Sequence, residues 1–223
     1  SIRALKTLAE PKDIPMLIRL LTKTTGSSER KGIEKVILTA ARKTEGGNKS
    51  VRILDAIDKI KNIDDRCSLL TVLGLLGNDS SLPVLRKALK SNNDMLKDTA
   101  IRALVKWQRP APMTDLMEIV KTDTNATRQI LALRGYIGLI SKPSDRTSDE
   151  SVKLLADAMA QAKRPEEKRL ILSLLTDYEG EEALRLAKSC LGDEATAGEA
   201  AFAIKKLETI SARSTPNRQG LIS

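Results

Sequence analysis

The 223 residues contain no histidine. Its absence removes the usual general base near neutral pH, the Ser/His and Cys/His nucleophile pairs, and most zinc ligand sets. Aromatic residues make up only 2% of the chain, so a core has to be built from Leu, Ile, Val and Ala. Stacking platforms for nucleic-acid bases are correspondingly scarce. No apolar run reaches the roughly 18 residues that a bilayer-spanning helix needs. Neither a Gly-rich phosphate loop nor a Walker pattern is present, and two isolated cysteines cannot make a metal cluster.

The charge that is present is unevenly placed. Net charge is +9. Residues 1–111 carry 22 Lys/Arg against 12 Asp/Glu, a balance of +10, and residues 112–223 carry 16 against 17, a balance of −1. The basic half is either a footprint for an acidic partner or an ordinary solvated lysine-rich face. The acidic pairs Asp64-Asp65, Asp149-Glu150, Glu166-Glu167 and Glu181-Glu182 all fall at expected helix starts. There carboxylates complement the helix dipole and cap free N–H groups, which explains them without acid/base chemistry. Thr147 with Glu150 has the spacing of a capping box.

The chain is organised around Leu69 to Lys90, LLTVLGLLGNDSSLPVLRKALK. An apolar helical run ends at Leu76, Gly77 supplies a left-handed stop, and Asn78-Asp79-Ser80 reads as a tight turn. Leu82, Leu85 and Leu89 then recur at helical spacing, with Pro83 harmlessly in the first turn. Apolar pairs spaced i, i+3 repeat along the chain: Ile2/Leu5, Leu38/Ala41, Leu70/Leu73, Ile101/Leu104, Leu133/Tyr136, Leu172/Leu175 and Ile204/Leu207. Steps between first members are 36, 32, 31, 32, 39 and 32 residues, the period of an α-solenoid. The first helix of each unit is expected at Ile14-Pro15-Met16-Leu17, Ser50–Ile60, Leu82-Pro83-Val84-Leu85, Pro112–Val120, Ser151–Ala162 and Glu181–Leu191. Turn formers follow each of them, Gly46-Gly47 separates two units, and short connections make neighbouring helices antiparallel. In such a stack Cys67 and Cys190 lie on the order of 30 Å apart at roughly 8–10 Å per layer. A disulfide needs Cα atoms within about 7 Å, so two free thiols are expected.

The Leu69–Lys90 pattern resembles the HEAT repeat family: Leu-Gly, a short turn with Asp, a proline, then spaced leucines. The resemblance implies an all-α fold, a right-handed α-α superhelix of about six helix pairs plus one truncated N-terminal helix. It covers residues 1–210, with 211–223 a linker. It also implies a non-catalytic interaction or scaffolding module, without cofactor or metal, whose partner is another protein or a neighbouring domain. Gly220-Leu221-Ile222-Ser223 is similar to the opening of a 3-keto-disaccharide hydrolase-type jelly-roll domain, which implies the accessory region of a larger bacterial protein, periplasmic or secreted. In size and basic balance the chain also resembles the HEAT-like alkylpurine DNA glycosylases, and nucleic-acid binding is the alternative function.

Candidate contact residues follow from the repeat. Arg3, Arg102, Arg134 and Lys205 occupy one slot of the helical tetrad, which Thr39, Thr71 and Ser173 fill elsewhere. In the resembled family the second helix of each unit lines the concave face, which implies a ligand-facing row; the alternative is a ladder pairing with Asp or Glu of the next unit. Arg30, Lys31, Lys35, Arg42 and Lys43 form a denser basic cluster on one helix. Trp107, just before Gln108-Arg109-Pro110, either covers a hinge between units or is an exposed binding hot spot. Tyr136, replacing a leucine of the tetrad, is expected in the core.

Overall fold

The computed structural model describes residues 7–45 and 48–214. The expected first copy (Ile2/Leu5, with Arg3), the Gly46-Gly47 turn and Gly220–Ser223 lie outside the described residues. Among the described residues there are twelve α-helices and no strand. They are α1 Ile14–Lys23, α2 Ser27–Arg42, α3 Val51–Ile57, α4 Ile63–Leu76, α5 Leu82–Leu89 and α6 Asp94–Val105. The second half holds α7 Met113–Thr122, α8 Ala126–Ile140, α9 Ser148–Gln161, α10 Pro165–Leu175, α11 Glu181–Ser189 and α12 Ala197–Ser214. Consecutive helices pair, α1 with α2 through α11 with α12, and the fold is an α-α solenoid.

Local chemistry places the ends. Asn62, Asn93 and Asn125 cap α4, α6 and α8, their side-chain oxygens accepting from the N–H groups of Asp65, Leu96, and Thr127 with Arg128. Gly77 stops α4 at φ 60°, ψ 35°, the left-handed region where a Cβ is unfavourable. Pro15, Pro83 and Pro165 sit in first turns, where no N–H is needed. The acidic pairs all lie in first turns. Thr147 and Glu150 form the capping box, so α9 begins at Ser148, three residues before the expected Ser151. Helix α12 runs on to Ser214, past the expected boundary at 210; no breaker occurs in sequence before Pro216.

The described tetrad pairs form the spine of the core. All their members are buried except Leu38 and Ile204, which are half-buried. Each fully buried aliphatic side chain contributes about 1.5–3 kcal/mol of transfer free energy. The even-numbered helices pack on one another at every step, α2 on α4 and so on to α12. The odd-numbered helices meet closely only at α1–α3 and α9–α11. Unequal spacing of two connected layers bends the stack toward the tighter one, so the even helices line the inner side. Two glycines allow that tightness. A Cβ on Gly74 would lie 2.5 Å from Ala103 Cβ and 2.6 Å from its Cα, and one on Gly135 would lie 2.5 Å from a methyl of Val105.

Trp107 corrects one expectation. Its side chain is 1% exposed, packed after α6, and its indole N–H donates to Asp79 in the turn before α5. It joins two unit-to-unit turns and is not a surface hot spot; an indole that fills a gap between units and finds one acceptor is more stable inside. Tyr136 is buried as expected, and burial pushes its hydroxyl up to about 12. Cys67 and Cys190 are free thiols.

Candidate functional site

Each even helix from α4 to α10 has odd helices on one flank and even neighbours on two others, so its one exposed stripe faces the inner side; α2 and α12 end the described stack with one even neighbour each, and the residues in register with that stripe continue it. On α2 that stripe carries Lys31, Lys35, Thr39 and Arg42; on α4 it carries Asp64, Thr71 and Leu75. On α6 it carries Met95 and Arg102, continued by Lys106. On α8 it carries Arg134 and Gly138, on α10 Leu170 and Ser173, continued by Asp177 in the turn after the helix, and on α12 Phe202 and Lys205. The tetrad slot, Thr39, Thr71, Arg102, Arg134, Ser173 and Lys205, lies on this stripe.

The predicted residues divide by what they touch. Arg30 is tied down at the α2–α4 seam. Its guanidinium meets buried Asp65 at 2.8 Å and donates to Ser68 and to the carbonyls of Leu21 and Thr24, so its donors serve the fold. Lys43 reaches Glu10 at 2.8 Å and the carbonyls of Thr7 and Ala9, closing the open end of the preceding helical residues. Arg134 forms the ladder pairing: its Nε and Nη2 lie 2.8 and 2.7 Å from Glu167 of α10, a carboxylate only 1% exposed. These three correct the contact reading, because each is spent on a neighbouring unit. Lys31, Lys35, Arg102 and Lys205 make no ion pair among the described residues, and Arg42 touches only the carbonyl of Leu75, at 3.4 Å.

Other cations on the seams are also paired. Arg128 bridges Asp94 and Asp98, Lys168 meets Asp193 at 2.6 Å, and Arg169 meets Glu199 at 3.1 Å and the Ala195 carbonyl. These partners hold the Asp94 and Asp193 carboxyls below the ordinary carboxylate range, through hydrogen bonds from Arg128 and Lys168 respectively. The inner stripe's unpaired cations differ in this from the cations on the seams, although cations of the odd helices such as Arg19, Lys121 and Lys153 are also without an ion pair among the described residues.

Three residues missed in the sequence belong to the same surface. Lys106 lies one turn beyond Arg102. Leu170 (43% exposed) and Phe202 (67% exposed) each lie three residues before the slot, at equivalent positions of α10 and α12. The signal was present, since both are offset equally from the tetrad. An apolar residue beside core positions nevertheless reads as core until the neighbouring helices are placed. Beside them is a hollow of about 300 Å³ lined by Ile137, Gly138, Leu170, Ser173, Leu174 and Lys206 among others.

Two further clefts lie where the first helix of a unit turns into the second. One of about 480 Å³ lies between α2 and α4, and one of about 470 Å³ between the α5–α6 and α7–α8 pairs. Arg86 closes the second by a two-pronged bond to Asp115. Burial pushes the Cys67 thiol above its ordinary pKa, which disfavours the thiolate. Among the described residues no three His, Cys, Asp or Glu side chains converge as a metal site, and no helix is long and apolar enough to cross a membrane.

Residues 52–136, from α3 to the middle of α8, match the family of HEAT repeats. No curated protein and no solved structure matches the chain. The match covers the segment in which the inner layer is most tightly stacked, including Gly74, Ala103 and Gly135.

Proposed function

We propose that this helical array is a non-catalytic protein-interaction module that receives its partner on the inner face of the even helices. The observation that carries the reading is the contrast on that face. Arg30, Lys43 and Arg134 are bound into the stack, whereas Lys31, Lys35, Arg42, Arg102 and Lys106 are presented to solvent beside exposed Leu75 and Met95. Stacked helix pairs hold such residues on a rigid curved scaffold whose surface varies without cost to the core. HEAT repeats generally act as protein-interaction scaffolds, which supports the reading. On this reading the module works as the accessory part of a larger bacterial protein, periplasmic or secreted.

Nucleic-acid binding is the second reading, favoured by the same cations. Phosphate contacts would make affinity fall steeply with salt. Against it, Phe202 is the one strongly exposed aromatic among the described residues, while Trp107 and Tyr136 are buried. Filter binding with duplex DNA at low and moderate salt separates the two. The module reading expects weak retention, abolished by modest salt. It also expects that capture of a native partner is lost on reversing Lys31, Lys35 and Arg42. Tight, salt-sensitive DNA retention with partner capture unaffected would replace it with the second reading.

A further inference from the structure

We infer that the inner face takes one extended segment of a partner protein, acidic where it crosses α2 to α6 and ending in a bulky apolar anchor against α10 and α12. This rests on the module reading and adds the chemistry and polarity of the bound segment.

The two ends of the face differ in kind. From α2 to α6 the inner stripes present Lys31, Lys35, Arg42, Arg102 and Lys106; Glu34 and Asp64, which line the α2–α4 cleft with Lys31, are carboxylates there without an ion pair. The Asp98 carboxylate of α6 is already neutralised by Arg128. The five cations outnumber these two carboxylates, and an acidic segment complements the excess. From α10 to α12 the stripe carries one charge of each sign, Asp177 and Lys205, and the exposed large apolar groups are Leu170 and Phe202, beside the hollow over Gly138. A Cβ at Gly138 would meet nothing within 4 Å, so the hollow is open to an incoming side chain. Large apolar groups exposed at equivalent positions of adjacent helices are the chemistry of an anchor site.

The same gradient decides against other occupants. A polyanion such as a nucleic acid would gain from α2 to α6 and then meet the apolar side chains of Leu170 and Phe202, which offer a phosphate nothing, while the nearby Glu166 and Asp177 are already bridged by Arg164 and Lys206. A second copy of this chain would bring cations against cations at a net charge of +9 on each. Length follows from the stack. From α6, where the cationic stripe ends, to α10 there are two steps of roughly 8–10 Å, and an extended chain advances about 3.3 Å per residue. The acidic stretch and the anchor are thus separated by about 5–6 residues.

The test uses a fluorescein-labelled synthetic peptide of consecutive glutamates, a Gly/Ser spacer of about five residues as the geometry requires, and a terminal Leu-Phe. Fluorescence anisotropy is read against the whole chain at fixed salt. Lys31→Glu/Lys35→Glu/Arg42→Glu should weaken binding by about tenfold or more. Arg19→Glu/Lys121→Glu/Lys153→Glu, the same charge change on exposed odd-helix positions, should weaken it by less than about threefold. Leu170→Ser/Phe202→Ser should weaken it severalfold, and removing the spacer should match that loss. Circular dichroism melts confirm that each variant is folded, since all these side chains are exposed. Equal losses from the inner and outer triples, indifference to spacer length, or displacement of the peptide by an oligothymidine of equal charge would each overturn the inference. If the peptide fails while native partner capture still depends on Lys31, Lys35 and Arg42, only the segment's chemistry is wrong. If both fail, the module reading falls with it.

Discussion

The inner and outer helix layers are made from the same residue types, yet they behave as different materials. In the inner layer every even helix leans on the next, with glycine where backbones approach closest, and its seams are bridged by Arg30–Asp65, Arg134–Glu167 and Arg169–Glu199. In the outer layer α5 and α7 stand apart enough to leave the cleft that Arg86 and Asp115 span. The tight layer sets the curvature and holds the presented side chains in register. The looser layer absorbs the change in spacing. A solenoid thus separates the surface that must be exact from the one that can yield.

The largest effect expected from breaking this arrangement is at Trp107, which ties the inner layer's turns together. Trp107→Ala removes the largest buried side chain and leaves Asp79 without the indole N–H. A loss of about 3–5 kcal/mol in denaturant unfolding is expected. A loss below about 1 kcal/mol would mean that the indole is not packed between the units.

Matched ion pairs come next. Arg134→Ala leaves the Glu167 carboxylate, 1% exposed, with only Arg164 at 3.7 Å. Breaking a buried pair costs several kcal/mol, and Arg134 is itself half-exposed, so about 2–3 kcal/mol is expected. In the outer layer Arg86→Ala leaves Asp115, whose side chain is 12% exposed and lines an open cleft that gives it access to solvent, and a smaller loss of about 1 kcal/mol is expected. Equal losses would erase the distinction between the layers.

Added bulk is a smaller and sharper probe. Gly74→Ala forces a Cβ against the backbone of Ala103, and the strain outweighs the gain in helix propensity. A net loss of about 1–2 kcal/mol is expected. Leu89→Phe adds more volume, but into the α5–α7 cleft, and should change stability by no more than about 0.5 kcal/mol. Thermal melts of the two variants side by side provide the measurement.

Most of the architecture was legible because it depends on local rules. The i, i+3 pairs, Gly77, the proline-first helices and the Thr147–Glu150 box each act within a turn or two of chain. What the sequence could not disclose depends on neighbours some thirty residues away. Arg134 and Lys205 share a slot, yet only Arg134 finds a carboxylate, because Glu167 happens to face it from α10. Arg30 and Lys31 are adjacent, yet one is consumed by the α2–α4 seam and the other projects into the groove. Trp107 and Phe202 show the same limit in opposite directions: of the two readings open for Trp107 the packed one between units holds, and an apolar residue beside the core is exposed.

Acid sensitivity should be the weakest discriminator, and its sign is fixed by the missing histidine. No side chain with an ordinary pKa titrates between about pH 5 and 8. Asp94, Glu166 and Asp193, at the starts of inner-layer helices, are held below the ordinary carboxylate range by Arg128, Arg164 and Lys168. In the outer layer Glu150 is lowered by the Thr147 N–H. A carboxyl whose folded pKa is depressed contributes stability that is fully present above its unfolded value, 3.8 for Asp and 4.5 for Glu, and lost as pH falls through the folded one. The melting temperature should therefore be flat from about pH 5.5 to 8 and fall only below about pH 4. Asp94→Asn with Asp193→Asn should flatten that acid-side fall more than Glu150→Gln does, because more of the depressed carboxyls brace the inner layer. A melting temperature that moves between pH 5.5 and 8, or a larger effect from Glu150→Gln, would place the pH-sensitive bracing outside the inner seams.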